Sequence, residues 1–341
     1  MNILYLSCHS ILEYDECKLL SNLNYNVRAI GSYTNPHSPG DPKRPPIPSM
    51  EVNLQHIDVS NRYHQDNLHQ EHLDWADVII FMHMPDWIFG QLDKLKTWDK
   101  PVVFRSIGQS SPDVELKLNH IKTTLPKFKI VKYTKKELLF PNNAGADTII
   151  PFYKDIPYTW SLDACFFDVA FCMQSAQQRG NWTKFNDLFS VVQQAEINNT
   201  VLFGPGNEPL ADQIAIQCPD YEGLIWGLSK SKILFYAGTI PASYTLTPLE
   251  AMFIGTPIVT ISDDWWRTGH DSWVPKGLFE VCDWVPDEAC IDKTEAVEML
   301  KRLLANPEWL ETISLDNRQF IEKNYSKKVV GDRWSSFIES L

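Results

Sequence analysis

Residues 243–262, SYTLTPLEAMFIGTPIVTIS, have the pattern of a loop, a short capped helix, a tight turn and a buried strand. Thr247 is a favourable N-cap residue, a proline follows at the first helical position, and Glu250 stands three residues after the cap, which predicts a capping box. Gly255 can end the helix in the left-handed conformation. Because the free N–H groups and the positive dipole end of a helix start attract anions, this segment predicts a site that suits a diphosphate.

Short apolar runs recur along the chain with the length and composition of buried strands, and segments with helical features separate many of them. This alternation predicts an α/β fold with doubly wound sheets, in which ligands bind at the carboxyl ends of the strands. A length of 341 residues allows two such domains, each with its own core. The predicted strands are residues 2–8, 25–32, 77–84, 101–104, 130–134, 148–152, 166–173, 200–203, 233–237 and 258–261.

The composition indicates a folded globular protein in a reducing compartment. Hydrophobic residues make up 44% of the chain and charged residues 22%. The seven cysteines are scattered, odd in number and without metal-ligand spacing, which favours ordinary core thiols. No apolar stretch approaches the length of a membrane span, and the apolar N-terminus lacks the basic lead of a signal peptide. We therefore expect a cytoplasmic protein.

The net charge of −12 is unevenly distributed. Residues 1–155 hold 17 basic against 18 acidic side chains, whereas residues 156–341 hold 14 against 25. Such an acidic second half argues against indiscriminate binding to polyanions. The nearly neutral first half could still present a local basic surface.

Residues 117–136 contain seven lysines and no acidic residue. The common interpretation of such a run is a solvated face, and the more specific one is attraction to an anionic acceptor or to lipid headgroups. The lysines are Lys117, Lys122, Lys127, Lys129, Lys132, Lys135 and Lys136.

The segment TPLEAMFIGTPIVT resembles the PLEAMA-G-PVI segment of the retaining, nucleotide-sugar-dependent glycosyltransferases of the GT-B fold, the group that includes glycogen-synthase-like and sucrose-synthase-like enzymes. The resemblance implies that Glu250 binds the nucleotide ribose and that backbone amides before it hold the diphosphate. An alternative is that Glu250 is a helix cap only. The family often has a second glutamate eight positions earlier, where this chain has Ala242. The residues implied for the diphosphate are Ser243, Tyr244, Thr245, Leu246 and Thr247.

Two further segments of the second half are similar to donor-binding segments of this family. SAQQRGNWTKF occupies the place of a loop in which an arginine and a lysine neutralise the diphosphate, which implies that role for Arg179 and Lys184. The GPGN turn after the strand at 200–203 resembles the family's glycine turn near the nucleotide base, which implies that Gly204 and Gly206 lie there.

In the first half, polar residues follow several predicted strands at the edge where ligands would bind. His9 follows the first strand, and Ser10 with Glu13 predicts a capping box, so these three residues are expected on the acceptor side. ADVIIFMHMPDW resembles the family's DVVHAHDW region, which makes His83 a candidate for contact with the substrate. Arg105 follows the next strand and is expected to meet an anionic group of the donor or acceptor. A structural role is the alternative for each histidine.

The resemblance implies two Rossmann-like domains that face a cleft, the GT-B architecture. We expect an acceptor-side domain over residues 1–155, a nucleotide-sugar-binding domain over residues 156–325, and a C-terminal helix at 326–341 that crosses back to the first domain. The implied reaction moves a sugar, with retention, from a nucleotide sugar such as a UDP-sugar to an acceptor hydroxyl. No Asp-x-Asp motif stands at a strand end, so we expect neither a metal nor a cofactor other than this co-substrate.

The acceptor stays open between a glycan or lipid-linked glycan, a small metabolite, and a hydroxymethylated base in DNA, as in phage enzymes of this fold. The acidic second half disfavours DNA, and the lysine run allows a peripheral membrane contact. Two other functional classes fit the same features. One is a non-catalytic nucleotide-sugar or glycan-binding protein, which Ala242 favours, and the other is a sugar-nucleotide epimerase.

Overall fold

The structure is a computed structural model, which describes residues 1–7, 9–31, 54–58, 68–108, 110–173, 176–177, 182–217, 220–236, 246–262, 265 and 290–341. The chain divides into two compact units. The first comprises Met1–Tyr153 and Tyr325–Leu341, and the second comprises Lys154–Asn324.

The first unit contains a seven-stranded parallel sheet with the order β3-β2-β1-β4-β5-β6-β7. Continuous apolar runs make its central strands, which are buried on both faces as expected for a parallel sheet. The strands are β1 (Asn2–Leu6), β2 (Asn26–Gly31), β3 (Leu54–Asp58), β4 (Val78–Met82), β5 (Val102–Arg105), β6 (Phe128–Lys132) and β7 (Thr148–Ile149). The edge strand β3 was not predicted, because LQHID carries little apolar signal.

Helices connect these strands and cover the sheet. They are α1 (Ser10–Asn22), α2 (Gln70–Trp75), α3 (Pro85–Phe89), α4 (Leu92–Trp98) and α5 (Pro112–Thr124), with a 3-10 helix at Lys135–Leu139. The core on one face joins residues of the strands to residues of α2–α5, including Leu4, Ile79, Phe104, Leu118 and Ile121, which are at most 2% exposed.

The second unit contains a five-stranded parallel sheet with the order β10-β9-β8-β11-β12. Its strands are β8 (Phe167–Cys172), β9 (Thr200–Phe203), β10 (Ala215–Gln217), β11 (Ser231–Tyr236) and β12 (Ile258–Thr260). Its helices are α6 (Trp182–Gln194), α7 (Tyr221–Ser229), α8 (Leu246–Ile254), α9 (Lys293–Leu304) and α10 (Pro307–Tyr325), with 3-10 turns at Leu162–Ala164 and Glu208–Leu210. The predicted α/β class with two doubly wound, Rossmann-like sheets is confirmed.

The last helix, α11 (Lys327–Glu339), belongs to the first unit. Its apolar side, which includes Val330, Trp334 and Ile338, is buried. Gly331 permits a close approach to α1, because a Cβ atom at this position would lie 3.2 Å from Leu23 Cδ2. In the described part of the chain, no helix has both the length and the apolar character that crossing a membrane requires.

Candidate nucleotide and acceptor sites

Each sheet has one point at which the order of the strands reverses. In the second unit the chain runs outward from β8 to β9 and β10, and then returns to β11 and β12 on the other side. In the first unit the same reversal lies between β1 and β4. Open α/β sheets bind ligands at such points, outside the carboxyl ends of the strands. The candidate sites are therefore the ends of β8 and β11 in the second unit and the ends of β1 and β4 in the first.

The start of α8 lies against the end of β8. Thr247 Oγ1 donates a hydrogen bond to Cys172 Sγ over 3.4 Å, and Cys172 is the last residue of β8. Burial raises the pKa of the Cys172 thiol to about 12, so the sulfur is a neutral acceptor near pH 7. The nine-residue helix α8 thus presents its N-terminal end at the switch point of the second sheet.

Glu250 has two side-chain partners that the sequence did not predict. Because α8 begins at Leu246, Thr247 is already helical and the expected Thr247–Glu250 capping box is wrong. Glu250 is buried, with 1% of its surface exposed. Its Oε1 accepts a hydrogen bond from Tyr221 Oη over 2.6 Å and lies 3.4 Å from Lys154 Nζ.

The C-terminal end of α8 agrees with the prediction. Gly255 has a φ of +94°, in the left-handed region, and its N–H donates to Ala251 O over 2.8 Å. A Cβ atom at Gly255 would lie only 2.8 Å from Ser314 Oγ on α10. Glycine is thus required here both for its backbone angle and for lack of space.

The turn after β9 has both of its glycines in positive-φ conformations, with φ of 135° at Gly204 and 75° at Gly206. The buried Asn207 ties this turn to the chain after β8, because its amide donates to Met173 O over 2.6 Å and accepts from Ala176 N over 2.8 Å. The turn is therefore fixed at the carboxyl edge of the sheet, next to the end of β8.

The structure describes some of the residues that were predicted to bind the donor and not others. Arg179, Ser243, Tyr244 and Thr245 lie outside the described residues. Lys184 lies in the first turn of α6, and Leu246 is the first residue of α8.

Sequence reasoning did not single out Lys154 or Tyr221, the two partners of Glu250. Lys154 lies in the segment PFYKDIPYTW, where a lysine among apolar and aromatic residues was the available signal. Tyr221 opens α7 in a segment with no distinguishing motif.

At the first unit's switch point, two histidines follow the strands that flank it. Ser7 Oγ donates to Met82 Sδ over 3.3 Å, which joins the ends of β1 and β4. His9 follows β1 and is the N-cap of α1, with its Nδ1 accepting from Leu12 N. The predicted Ser10–Glu13 capping box is therefore wrong, since α1 already begins at Ser10 and His9 takes the capping position.

His83 follows β4 directly and has a φ of +68°, which is uncommon for a residue other than glycine. Its backbone N–H donates to Arg105 O over 2.9 Å. Burial lowers the pKa of its imidazole to about 4, so the ring is neutral near pH 7. A strained backbone at a ligand-binding edge is a frequent feature of functional sites.

Arg105 and Glu13 lie in the core of the first unit. The Arg105 guanidinium is fully buried, and its Nη2 lies 2.8 Å from Glu16 Oε1. Its Nη1 donates to Ile150 O over 2.6 Å. The anion that we expected Arg105 to meet in a ligand is therefore supplied by the chain itself. Glu13 is also fully buried.

The lysines of residues 117–136 do not form one solvated face. Lys132 is buried and pairs with Glu115 over 2.7 Å. Exposed ion pairs join three others to acidic residues outside the run, namely Lys117 to Asp86, Lys127 to Asp99 and Lys129 to Asp147. No group of three or more His, Cys, Asp or Glu residues in the described part of the chain could hold a metal ion.

No protein-family model and no curated protein matches the sequence. Solved structures do match. They include an O-GlcNAc transferase mutant of Thermobaculum terrenum, at 12% identity and a TM-score of 0.60, with 99% of this chain aligned to 66% of that one. S. aureus TarM, in complex with UDP among other ligands, matches at 12% identity and a TM-score of 0.53, with 76% of this chain aligned to 54% of that one.

A UDP-glucose:anthocyanidin 3-O-glucosyltransferase in complex with UDP aligns over nearly the full length of both chains, 100% of this one and 99% of that one, at 10% identity and a TM-score of 0.51. The chain spans just under two thirds of the length of the Thermobaculum transferase and about half that of TarM. At these identities the likeness concerns the fold. The two doubly wound units and these alignments identify the chain as having the GT-B glycosyltransferase fold.

Proposed function

We propose that the protein transfers a sugar from a nucleotide sugar to an acceptor hydroxyl, with the nucleoside diphosphate bound at the switch point of the second unit. The observation that carries this proposal is the contact of Thr247 with Cys172, which brings the start of α8 to the end of β8. A helix N-terminus at a sheet's switch point is a suitable site for a diphosphate. The GT-B fold and the sequence similarity around Glu250 support the same assignment.

The proposed chemistry depends mainly on stabilising the leaving diphosphate. Negative charge develops on this group as the bond to the sugar breaks, and preorganised donors that face it lower the barrier. We assign these donors to the backbone amides of residues 243–247, together with Arg179 and Lys184. Retention and independence from metals are part of the proposal and rest on the sequence resemblance.

The acceptor is proposed to approach the first unit's edge at the ends of β1 and β4, where His9 and His83 follow the strands. A neutral imidazole can accept a hydrogen bond or a proton from an attacking hydroxyl. We propose a glycan or a lipid-linked glycan as the acceptor, since the net charge of −12 disfavours DNA.

Calorimetry with UDP, GDP and ADP tests the donor assignment. UDP is the first probe, because TarM and the anthocyanidin glucosyltransferase were both solved with it. We expect at least one diphosphate to bind, and Glu250→Ala to weaken it by about 1–3 kcal/mol through loss of a charged hydrogen bond. Failure of all three diphosphates to bind would contradict the proposal.

A second experiment tests catalysis. The protein is incubated with radiolabelled nucleotide sugars, first alone and then with an array of glycan, lipid-linked and DNA acceptors. Transfer to one acceptor class is the expected result, and the anomeric configuration of the product, determined by NMR, tests retention. Nucleotide binding without transfer or donor hydrolysis would instead indicate a non-catalytic binding protein, and isomerisation of the sugar would indicate an epimerase.

A further inference from the structure

Three buried side chains from separate parts of the second unit meet around one carboxylate. Lys154 is the first residue of this unit, Tyr221 is the first residue of α7, and Glu250 lies on α8. Lys154 and Glu250 are each 1% exposed, and Tyr221 is 4% exposed. Lys154 Nζ also lies 4.8 Å from the centre of the Tyr221 ring, so all three side chains contact one another.

The charges in this cluster have a clear physical consequence. A buried carboxylate is unfavourable unless a cation or hydrogen-bond donors compensate it. Lys154 supplies the cation, at 3.4 Å from Oε1, and Tyr221 supplies a hydroxyl donor to the same oxygen. Together they favour the ionised form of Glu250 and fix the direction of its carboxylate.

Two other described groups near Glu250, Cys172 and Thr247, do not supply a positive charge to its carboxylate. The Cys172 thiol is neutral near pH 7, since burial raises its pKa to about 12. Thr247 uses its hydroxyl hydrogen to contact that sulfur. Among the described residues, Lys154 is the one cation within ion-pairing distance of Glu250.

From this geometry we infer that Lys154 and Tyr221 are positioning residues, which hold Glu250 as an ionised and oriented acceptor for the ribose hydroxyls of a bound nucleotide. The inference rests on the proposed function, in which Glu250 is the ribose ligand. An ionised carboxylate accepts hydrogen bonds from two neighbouring hydroxyls, whereas a protonated one loses part of this capacity. The site should therefore favour ribonucleotides over 2′-deoxyribonucleotides, and this preference should depend on Lys154.

The main test compares Lys154→Met and Tyr221→Phe with the wild-type chain by calorimetry with UDP and 2′-deoxy-UDP between pH 5.5 and 8. Should GDP or ADP prove the better ligand in the preceding experiment, it and its 2′-deoxy analogue replace the uridine pair. The matched control is Lys232→Met, which removes a lysine of the same unit that forms an ion pair with Asp168 over 2.8 Å, with about one third of each side chain exposed. At each pH, the dissociation constant of the variant is divided by that of the wild type. The titration of the nucleotide itself affects both values equally and cancels in this ratio.

We expect Lys154→Met to weaken ribonucleotide binding by about tenfold or more at pH 5.5 and by less at pH 8. Without the cation, the buried carboxyl binds a proton more readily at low pH, and raising the pH restores the charged form. Tyr221→Phe should weaken binding by about tenfold at every pH, because the carboxylate is no longer held in the direction that meets the ribose, and loss of such a supporting partner costs about 10- to 100-fold in affinity at other sites. In both variants the preference for ribose over deoxyribose should shrink, while Lys232→Met should behave as wild type.

A purely structural role would give a different result. Lys154→Met would then lower the melting temperature, but the folded fraction would bind with an affinity ratio independent of pH and with an unchanged ribose preference. That outcome, or equal or tighter binding by Tyr221→Phe, would overturn the inference. Tyr221→Phe removes a single hydroxyl and keeps the ring, so it keeps the inference testable if Lys154→Met fails to fold.

A measurement without nucleotide separates this inference from the proposed function. Carbon-13 NMR follows the glutamate carboxyl signals as the pH is lowered, and loss of one signal in Glu250→Gln assigns Glu250. We expect Glu250 to take up its proton at a pH at least about one unit higher in Lys154→Met than in wild type. An unchanged titration would overturn the inference even if nucleotides bind normally. Absence of all diphosphate binding in the wild type would overturn the proposed function and the ribose role together.

Discussion

At the scale of single residues, His83 combines a strained backbone with a neutral, partly buried side chain. A φ of +68° costs free energy for a histidine, whereas asparagine tolerates this region better. The residue lies directly after β4, at the switch point of the first sheet, where a ligand would approach. Its strain and its position together favour a functional role over a packing role.

We expect His83→Asn to lower kcat by about 100-fold while leaving donor affinity and the melting temperature near wild type. Asparagine keeps the left-handed backbone accessible but removes the imidazole, so folding and chemistry are separated. The measurement is kcat, donor affinity and melting temperature on one preparation. His83→Gly, which relieves the strain entirely, is the control for backbone effects. Normal turnover in the folded Asn variant would remove His83 from the site.

The same residue predicts a pH dependence of stability. The pKa of His83 is lowered from the ordinary 6.5 to about 4 in the folded chain, so only the unfolded chain binds this proton between those values. Above pH 6.5, His83 therefore does not reduce the free energy of unfolding. As the pH falls toward 4, protonation of this residue in the unfolded chain lowers the free energy of unfolding by up to about 3 kcal/mol. Urea unfolding of wild type and His83→Asn over this range measures it. The same dependence of the free energy of unfolding on pH in both proteins would contradict the prediction.

At the scale of secondary-structure elements, a buried network joins α11 to α1 and β5. Glu16 on α1 accepts hydrogen bonds from Arg105 at the end of β5 and from Trp334 Nε1 on α11, the latter over 3.1 Å. Tyr5 also donates to Glu16, and the Arg105 guanidinium carbon lies 3.8 Å from the centre of the Phe152 ring. The C-terminal helix is therefore held to the first unit by a specific polar contact as well as by apolar packing.

Substitutions of Arg105 and of Trp334, which remove different contacts of Glu16, should destabilise the protein by different amounts. Arg105→Met leaves the Glu16 carboxylate buried without its cation and should destabilise the protein by about 3–5 kcal/mol. Trp334→Phe removes one donor and should cost about 1–3 kcal/mol, including the smaller ring. Denaturant unfolding measures both, with Trp309→Phe as the control, because Trp309 is a half-buried tryptophan of α10 whose ring contacts Arg302 outside this network. Equal, small effects of the two core substitutions would show that the network contributes little.

At the scale of the whole molecule, the lysines of residues 117–136, which are close together in the sequence, lie in different environments in the folded chain. Lys132 enters the core, and several other members pair with acidic side chains, so only part of the run can attract a ligand. Lys135 is exposed at the start of the 3-10 helix that follows β6. Any electrostatic attraction of an acceptor should therefore depend on exposed members such as Lys135 rather than on the whole run.

For an anionic acceptor, we expect Lys135→Gln to raise the acceptor KM at low salt, with the difference disappearing at high salt because ions screen exposed charges. Donor affinity should be unchanged. Steady-state kinetics at several ionic strengths measures the effect, and Lys127→Gln, which removes an exposed paired lysine, is the control. Identical KM values at low salt would show that Lys135 belongs only to a solvated surface.

The sequence by itself determined the features that depend on neighbouring residues. Apolar runs predicted most of the strands, and their alternation with helical segments predicted two doubly wound sheets. The left-handed turn at Gly255 followed from local turn chemistry. Helix starts were less certain, and α1 and α8 each begin earlier than their predicted caps imply, because several adjacent residues can serve as caps and packing selects among them.

Only the tertiary structure decided which charged groups pair with one another. Arg105 and Glu16 are 89 positions apart, and Glu250 is 29 positions from Tyr221. Nothing in the local pattern distinguishes an arginine that meets a ligand from one that neutralises a buried carboxylate. The physical reason is that burial makes an unpaired charge costly, so its partner is chosen by the packing of distant elements rather than by adjacent residues.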